Sequence, residues 1–131
     1  ESHLEEIQTF IANSIEFSAI CISETSLQGD DTFTQDIKLS TYMDPYHTNS
    51  RTNKGGVAIL VKDNYNVTER VDLKSDNLEF EAVWIELNIN QSKNIILGCT
   101  YRLPHNVNID DFTTYMKTCL EKLNKENKEI Y

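Results

Sequence analysis

Phe80-Glu-Ala-Val-Trp-Ile-Glu-Leu-Asn-Ile89, followed after a four-residue polar stretch by Asn94-Ile-Ile-Leu-Gly-Cys-Thr-Tyr101, is the part of this chain whose reading decides the fold. Phe80, Ala82, Trp84 and Glu86 alternate with Glu81, Val83, Ile85, Leu87 and Ile89, a period of two in which both sets are largely apolar. Both faces of this strand are largely apolar, as in a strand covered on both sides. Asn90 to Lys93 supplies a turn, so residues 80–101 are expected to form a long antiparallel hairpin in the middle of a sheet.

Working towards the N-terminus, Val57-Ala-Ile-Leu-Val61 is a β-branched apolar run that reads as a central strand, entered through Gly55-Gly56 and closed by Asp63-Asn64. Val67, Glu69, Val71 and Leu73 alternate weakly. Leu27 to Asn53 is polar and loop-like, with room for one short strand between Ser40 and Tyr46. Before it, Ser18-Ala-Ile-Cys-Ile-Ser-Glu-Thr25 drives an apolar strand, read as interior, into a carboxylate at its carboxyl end. Leu4, Ile7, Phe10 and Ile11 share a helical face, which predicts a helix over roughly 3–14.

Working towards the C-terminus, Asn108 and Asp111 form a capping pair, and Ile109, Phe112, Met116, Cys119, Leu120 and Leu123 fall on one face, predicting a helix over 109–125. Its acidic start (Asp110, Asp111) and basic end (Lys122, Lys125) suit the helix dipole. Ile130-Tyr131 then reads as the start of another strand, so the chain is expected to be a fragment, one partial domain over 1–131. The start Glu-Ser-His-Leu is not expected to be where translation began.

The 131 residues, 39% hydrophobic and 25% charged, suit one domain with a modest core. No apolar run approaches the roughly 18 residues of a membrane helix, so no membrane partner is expected. Cys21, Cys99 and Cys119 are odd in number and far apart in apolar surroundings, which suggests core residues in a reducing compartment rather than a disulfide framework or a zinc site. A net charge of −9 argues against a nonspecific electrostatic grip on nucleic acid. An acidic nuclease remains consistent with it when metal ions supply the positive charge.

The order of these elements and their short motifs resembles the endonuclease/exonuclease/phosphatase superfamily, and most closely the endonuclease domain of non-LTR retrotransposons. The similarity runs over nearly the whole chain: a helix, then ICISET; a polar loop with Tyr42 and Arg51; KGGVAILV; FEAVWIELNI; IILGCTYRLP; and a helix containing DDF. The family's segments read like ISET, RGGGVAIYV, FESLWIEI and YRPP; Leu103-Pro104 here stands where two prolines are common.

The resemblance implies an α/β (α+β) fold, part of a DNase I-like four-layer αββα sandwich with mostly antiparallel sheets and outer helices. It implies divalent-metal-dependent phosphodiester cleavage, with Mg²⁺ (or Mn²⁺) as cofactor, DNA as partner in the complete parent domain, and an intracellular, cytoplasmic or nuclear location. Glu24 matches the family's metal-ligating glutamate, which suits the preference of Mg²⁺ for hard oxygen ligands. Tyr101 matches the tyrosine that contacts the scissile phosphate or steadies the leaving oxygen, a role a phenol donor can fill. Arg102 is a weaker candidate for holding substrate phosphate.

The family also uses an Asn on a strand before the first helix, a Gly-Asp-Phe-Asn segment and a late Asp-His pair supplying the general base. None of these is in the 131 residues, and His3, His47 and His105 read as surface histidines rather than replacements. The chain alone is therefore expected to be a poor nuclease. The alternative is a decayed or repurposed noncatalytic interaction module, self-associating through an exposed sheet face. An unrelated small enzyme finds little support, since G-x-S-x-G, P-loop and G-x-G-x-x-G motifs are all missing.

Overall fold

The computed structural model describes residues 5–6, 8–10, 17–25, 39–49, 55–90, 92–104 and 108–131. Two sheets carry the fold. The three-stranded sheet has the order β1 (Ala19–Ser23), β3 (Val57–Val61), β2 (Tyr46–His47), all antiparallel. The five-stranded sheet runs β4 (Asn66–Glu69), β6 (Phe80–Asn88), β7 (Ile95–Arg102), β8 (Glu129–Ile130), with β5 (Ser75–Asp76) sharing the β4 side of β6. Every pairing is antiparallel except β7 with β8.

The β6–β7 hairpin is the central pair that its alternation predicts, from Phe80 opposite Arg102 to Leu87 opposite Ile95. Its two faces meet different layers. Val83, Ile85, Leu87 and Cys99 pack against Val57, Ile59 and Val61 of β3, forming the core between the sheets. Ala82, Trp84 and Ile96 face the other way and pack on Cys119 and Leu123 of the long helix, Ile109–Lys125. The described residues thus form three layers, sheet on sheet on helix, in a mixed α/β, mostly antiparallel fold. Each fully buried aliphatic side chain here, such as Ile59, Ile85 or Leu123, contributes about 1.5–3 kcal/mol by leaving water.

The helix bounds match the expectation, and Asn108 caps it, although the side chain accepts from the Asp110 N–H at 3.2 Å rather than from Asp111. The expected apolar face is narrower than its sequence spacing: Cys119 and Leu123 are buried, whereas Ile109 and Leu120 are exposed. Helix and strand β8 together form the crossover that a parallel neighbour of β7 requires. β8 itself includes the expected Ile130, and pairing continues past it as Tyr131 N–H donates to Ile96 O at 2.8 Å.

Several expectations are corrected. β1 is an edge strand among the described residues, paired only with β3, so Ile20 and Ile22 are half-buried and Cys21 is exposed rather than a core residue. The weak alternation over 67–73 yields strand only to Glu69; Arg70 O then accepts from Leu73 N–H in a turn. The short strand anticipated between Ser40 and Tyr46 is displaced to Tyr46–His47, with Tyr42 making a single bridge to Lys62. Of the N-terminal helix, residues 5, 6 and 8–10 are helical and Phe10 is exposed; Leu4, Ile7 and Ile11 lie outside the described residues. Arg51, His3 and His105 also lie outside them.

Neither central strand offers an open face. All five residues of β3 are fully buried, Ala58 and Leu60 included, and β6 is buried on both sides from Phe80 to Leu87. The exposed sheet face that self-association would use is therefore not found at these strands.

Candidate active site

Glu24 and Tyr101 meet at the carboxyl ends of strands from different sheets. Glu24 follows β1 directly, in the left-handed region at φ 57, a conformation unusual for a side chain of this size. Tyr101 is the penultimate residue of β7. The Tyr101 hydroxyl donates to Glu24 Oε1 at 2.6 Å, spanning 77 positions of sequence. That bond, with the negative charges of Glu24 and Glu81 nearby, raises the Tyr101 pKa above its ordinary value and keeps the phenol protonated.

The backbone around Glu24 is held by the Gly55-Gly56 turn. Both glycines have positive φ, 102° and 84°, which a side chain would resist. Gly56 O accepts from the Thr25 N–H at 3.2 Å, and the Gly56 N–H donates to Glu81 Oε2. Glu81 stands directly opposite Tyr101 in the hairpin and is buried. Burial raises its pKa, and its hydrogen bonds to Gly56 and Thr48 only partly offset this. Thr48 Oγ1 in turn accepts from the Val57 N–H at 3.1 Å. A buried carboxylate thus ties the Gly-Gly turn to the hairpin, and the turn ties down the residue after Glu24.

Sequence reasoning passed over Glu81 as one member of an apolar strand. Its signal is register: in the two-residue period it falls on the same face as Val83, Ile85 and Leu87, where a carboxylate needs dedicated donors.

Arg102 is not brought to this pair. It follows Tyr101 in the strand and so projects to the opposite face, where it is exposed and pairs in register with Phe80. His47 is not the surface histidine that its sequence context suggests. It lies half-buried in β2, with Nδ1 buried and lacking a hydrogen-bond partner, beside a cavity of about 490 Å³ that Tyr46, Thr48, Glu69, Lys74 and Asp76 also line. That cavity meets the surroundings of Glu81 at Thr48 and at Asp76, which stands opposite Glu81 in the β5–β6 pairing.

The donors fit a magnesium-type ion in part. Glu24 offers one hard carboxylate oxygen at an accessible strand end, and such ions are held by one or two carboxylates with water and phosphate completing the shell. Among the described residues no group of three or more His, Cys, Asp or Glu side chains is placed to hold a metal by itself. Also among them, no helix is long and apolar enough to cross a membrane. The chain matches no protein-family model, and no curated protein matches it.

Proposed function

We propose that this chain is part of a divalent-metal-dependent phosphodiesterase of the retrotransposon endonuclease type, acting on DNA, with Glu24 as metal-ligating carboxylate and Tyr101 as phosphate-facing phenol. The observation that carries this reading is the 2.6 Å hydrogen bond from Tyr101 to Glu24. Two residues that the resemblance marks, 77 positions apart, meet at the carboxyl ends of strands from different sheets.

The metal would supply Lewis-acid charge to a phosphoryl oxygen. Glu24 holds a carboxylate oxygen ready for it, on a backbone that Thr25, Gly56 and Glu81 brace. Tyr101 is a protonated donor, its pKa raised by the Glu24 bond, and can turn its hydroxyl from Glu24 to a phosphate oxygen. Glu24 would be the residue that holds the ion. Proton abstraction from water needs a base, and neither Glu24 nor Tyr101 is bonded to a histidine among the described residues.

Strand direction supports the same reading. β8 runs parallel to β7, so its carboxyl end points to the end of β7 that bears Tyr101. A Gly-Asp-Phe-Asn segment after this strand would arrive beside the pair, and ligands in sheet proteins gather at such carboxyl ends. The four-layer αββα sandwich is the architecture that would complete the three layers described.

The test is plasmid nicking with Mg²⁺ by the protein that carries this chain. Glu24→Gln is expected to lower nicking by about 10²-fold or more with the far-ultraviolet dichroism spectrum unchanged. Undiminished nicking refutes the ligand assignment. A wild-type protein that binds DNA but never nicks it would favour the noncatalytic module.

A further inference from the structure

Two thiols from different sheets come together one step below the Glu24–Tyr101 pair. Cys21 stands opposite Ile59 in the β1–β3 pairing, so it shares the face that Ile59 turns towards the five-stranded sheet. Cys99, in the same core, lies on β7 two residues before Tyr101. The Cys99 thiol donates to the Ile22 carbonyl at 3.6 Å, which sets its sulfur against the β1 backbone next to Cys21, and Cys99 is the chief influence on the Cys21 thiol. Cys21 is exposed because β1 is an edge strand; Cys99 is buried. Cys119 packs on the opposite face of the hairpin, against the helix side of the sheet.

We propose that Cys21 and Cys99 form an oxidation site, converted by a hydroperoxide into a disulfide that staples β1 to β7. The exposed sulfur reacts first. The Cys21 thiolate attacks the terminal peroxide oxygen, the O–O bond breaks, and the departing oxygen takes a proton and leaves as water, or as an alcohol from an organic peroxide. The Cys99 sulfur then attacks the Cys21 sulfenic acid, the S–O bond breaks, and the hydroxyl leaves with the Cys99 proton as water. Two thiols lose two electrons in total and the peroxide gains them.

The division of labour follows from the surroundings. The neighbouring Cys99 thiol lowers the Cys21 pKa despite some burial, whereas the neighbouring Cys21 and burial raise that of Cys99. Cys21 is the accessible nucleophile and Cys99 the resolving thiol. The site does not depend on the proposed nuclease reading, since it needs only the packing of β1 on β7.

The experiment is peptide mapping under non-reducing conditions after brief treatment of the native chain with hydrogen peroxide. The expected product is a Cys21–Cys99 crosslink within one chain, with Cys119 still open to alkylation after unfolding. Before oxidation, iodoacetamide should label Cys21 at least ~10-fold faster than Cys99 or Cys119 in the native chain. Cys119→Ser should crosslink as the native chain does, and in urea the preference for Cys21–Cys99 should vanish. Overoxidation of Cys21 to sulfinic acid without a crosslink, equal participation of Cys119, or the same pairing yield in urea would each overturn the proposal.

Discussion

Arg70 and Glu126 form a two-pronged ion pair in which Nη1 and Nη2 donate to Oε2 and Oε1, each at 2.8 Å. The pair joins the end of β4 to the residue capping the long helix, and it anchors a wider cluster. Arg70 also reaches Asp72 at 2.9 Å and Glu86 at 3.4 Å, while Lys128 bridges Glu86 and Glu126 at 2.7 and 2.8 Å. Arg70 holds the Glu126 pKa down to about 2 and drives that of Asp72 still further below the usual range. Burial works against the charge of Glu86, but Lys128 and Asn94 outweigh it and lower its pKa as well.

These depressed carboxylates contribute stability that is present above their ordinary pKa of about 4.5 and lost as pH falls from there towards 2. Urea midpoints measured from about pH 6 down to pH 3 should therefore fall. Arg70→Met should be destabilised near neutrality by about 3 kcal/mol, because it leaves the carboxylates of Asp72, Glu86 and Glu126 to share only Lys122 and Lys128, and its acid-side slope should be much shallower. An unchanged slope would mean that the cluster is not what titrates.

Glu81 has the opposite sign. Its pKa is raised by burial, so its ionisation costs stability as pH rises from the ordinary value of 4.5 through the folded one. Glu81→Gln keeps an acceptor for Gly56 and removes the ionisation. Its stability should exceed or equal that of the native chain near neutrality, and the fall in stability on the alkaline side of about pH 4.5 should flatten.

Tyr101 reports on its partner. With the Glu24 carboxylate as acceptor, its phenol deprotonates above the ordinary value of 10.0. Ultraviolet titration of tyrosinate should show one residue moving back towards that value in Glu24→Gln. The exposed hydrogen bond contributes little to folding, so the same variant should lose under about 1 kcal/mol of stability. A tyrosine titration identical in the two proteins would place the phenol elsewhere.

Gly98 lies opposite Trp84 in the hairpin, and a Cβ added there would collide with the indole ring. Trp84 cannot easily yield, because its Nε1–H donates to the Tyr115 hydroxyl at 2.8 Å, which donates onward to Leu73 O at 2.6 Å. Gly98→Ala should destabilise by about 1–3 kcal/mol and shift the fluorescence of the single tryptophan to the red. Tyr115→Phe should cost a similar amount, about 1–3 kcal/mol, by leaving the indole N–H and the Leu73 carbonyl unpaired. Its emission should change without the steric loss.

The hairpin, β3 and the long helix were legible because period two and period 3.6 stand out over eight or more residues, or over an unbroken β-branched run. Ile130 was legible for the same reason on a smaller scale. The position of β1 was not, since alternation within Ala19–Ser23 is silent about how many neighbours the strand has. Glu24 and Tyr101 were each marked by motif, yet their contact is a property of sheet-on-sheet packing that no local pattern encodes. Glu81 and Arg70 were missed because their meaning lies in partners 25 and 56 positions away.

That separation also sets the order of events as the molecule folds. The β6–β7 hairpin closes over a short turn, whereas Glu24 reaches Tyr101 only after two independently hydrogen-bonded sheets have docked. Contacts of such long sequence range are entropically late. The fraction of molecules with Tyr101 bonded to Glu24 therefore measures docking of the two sheets rather than formation of either.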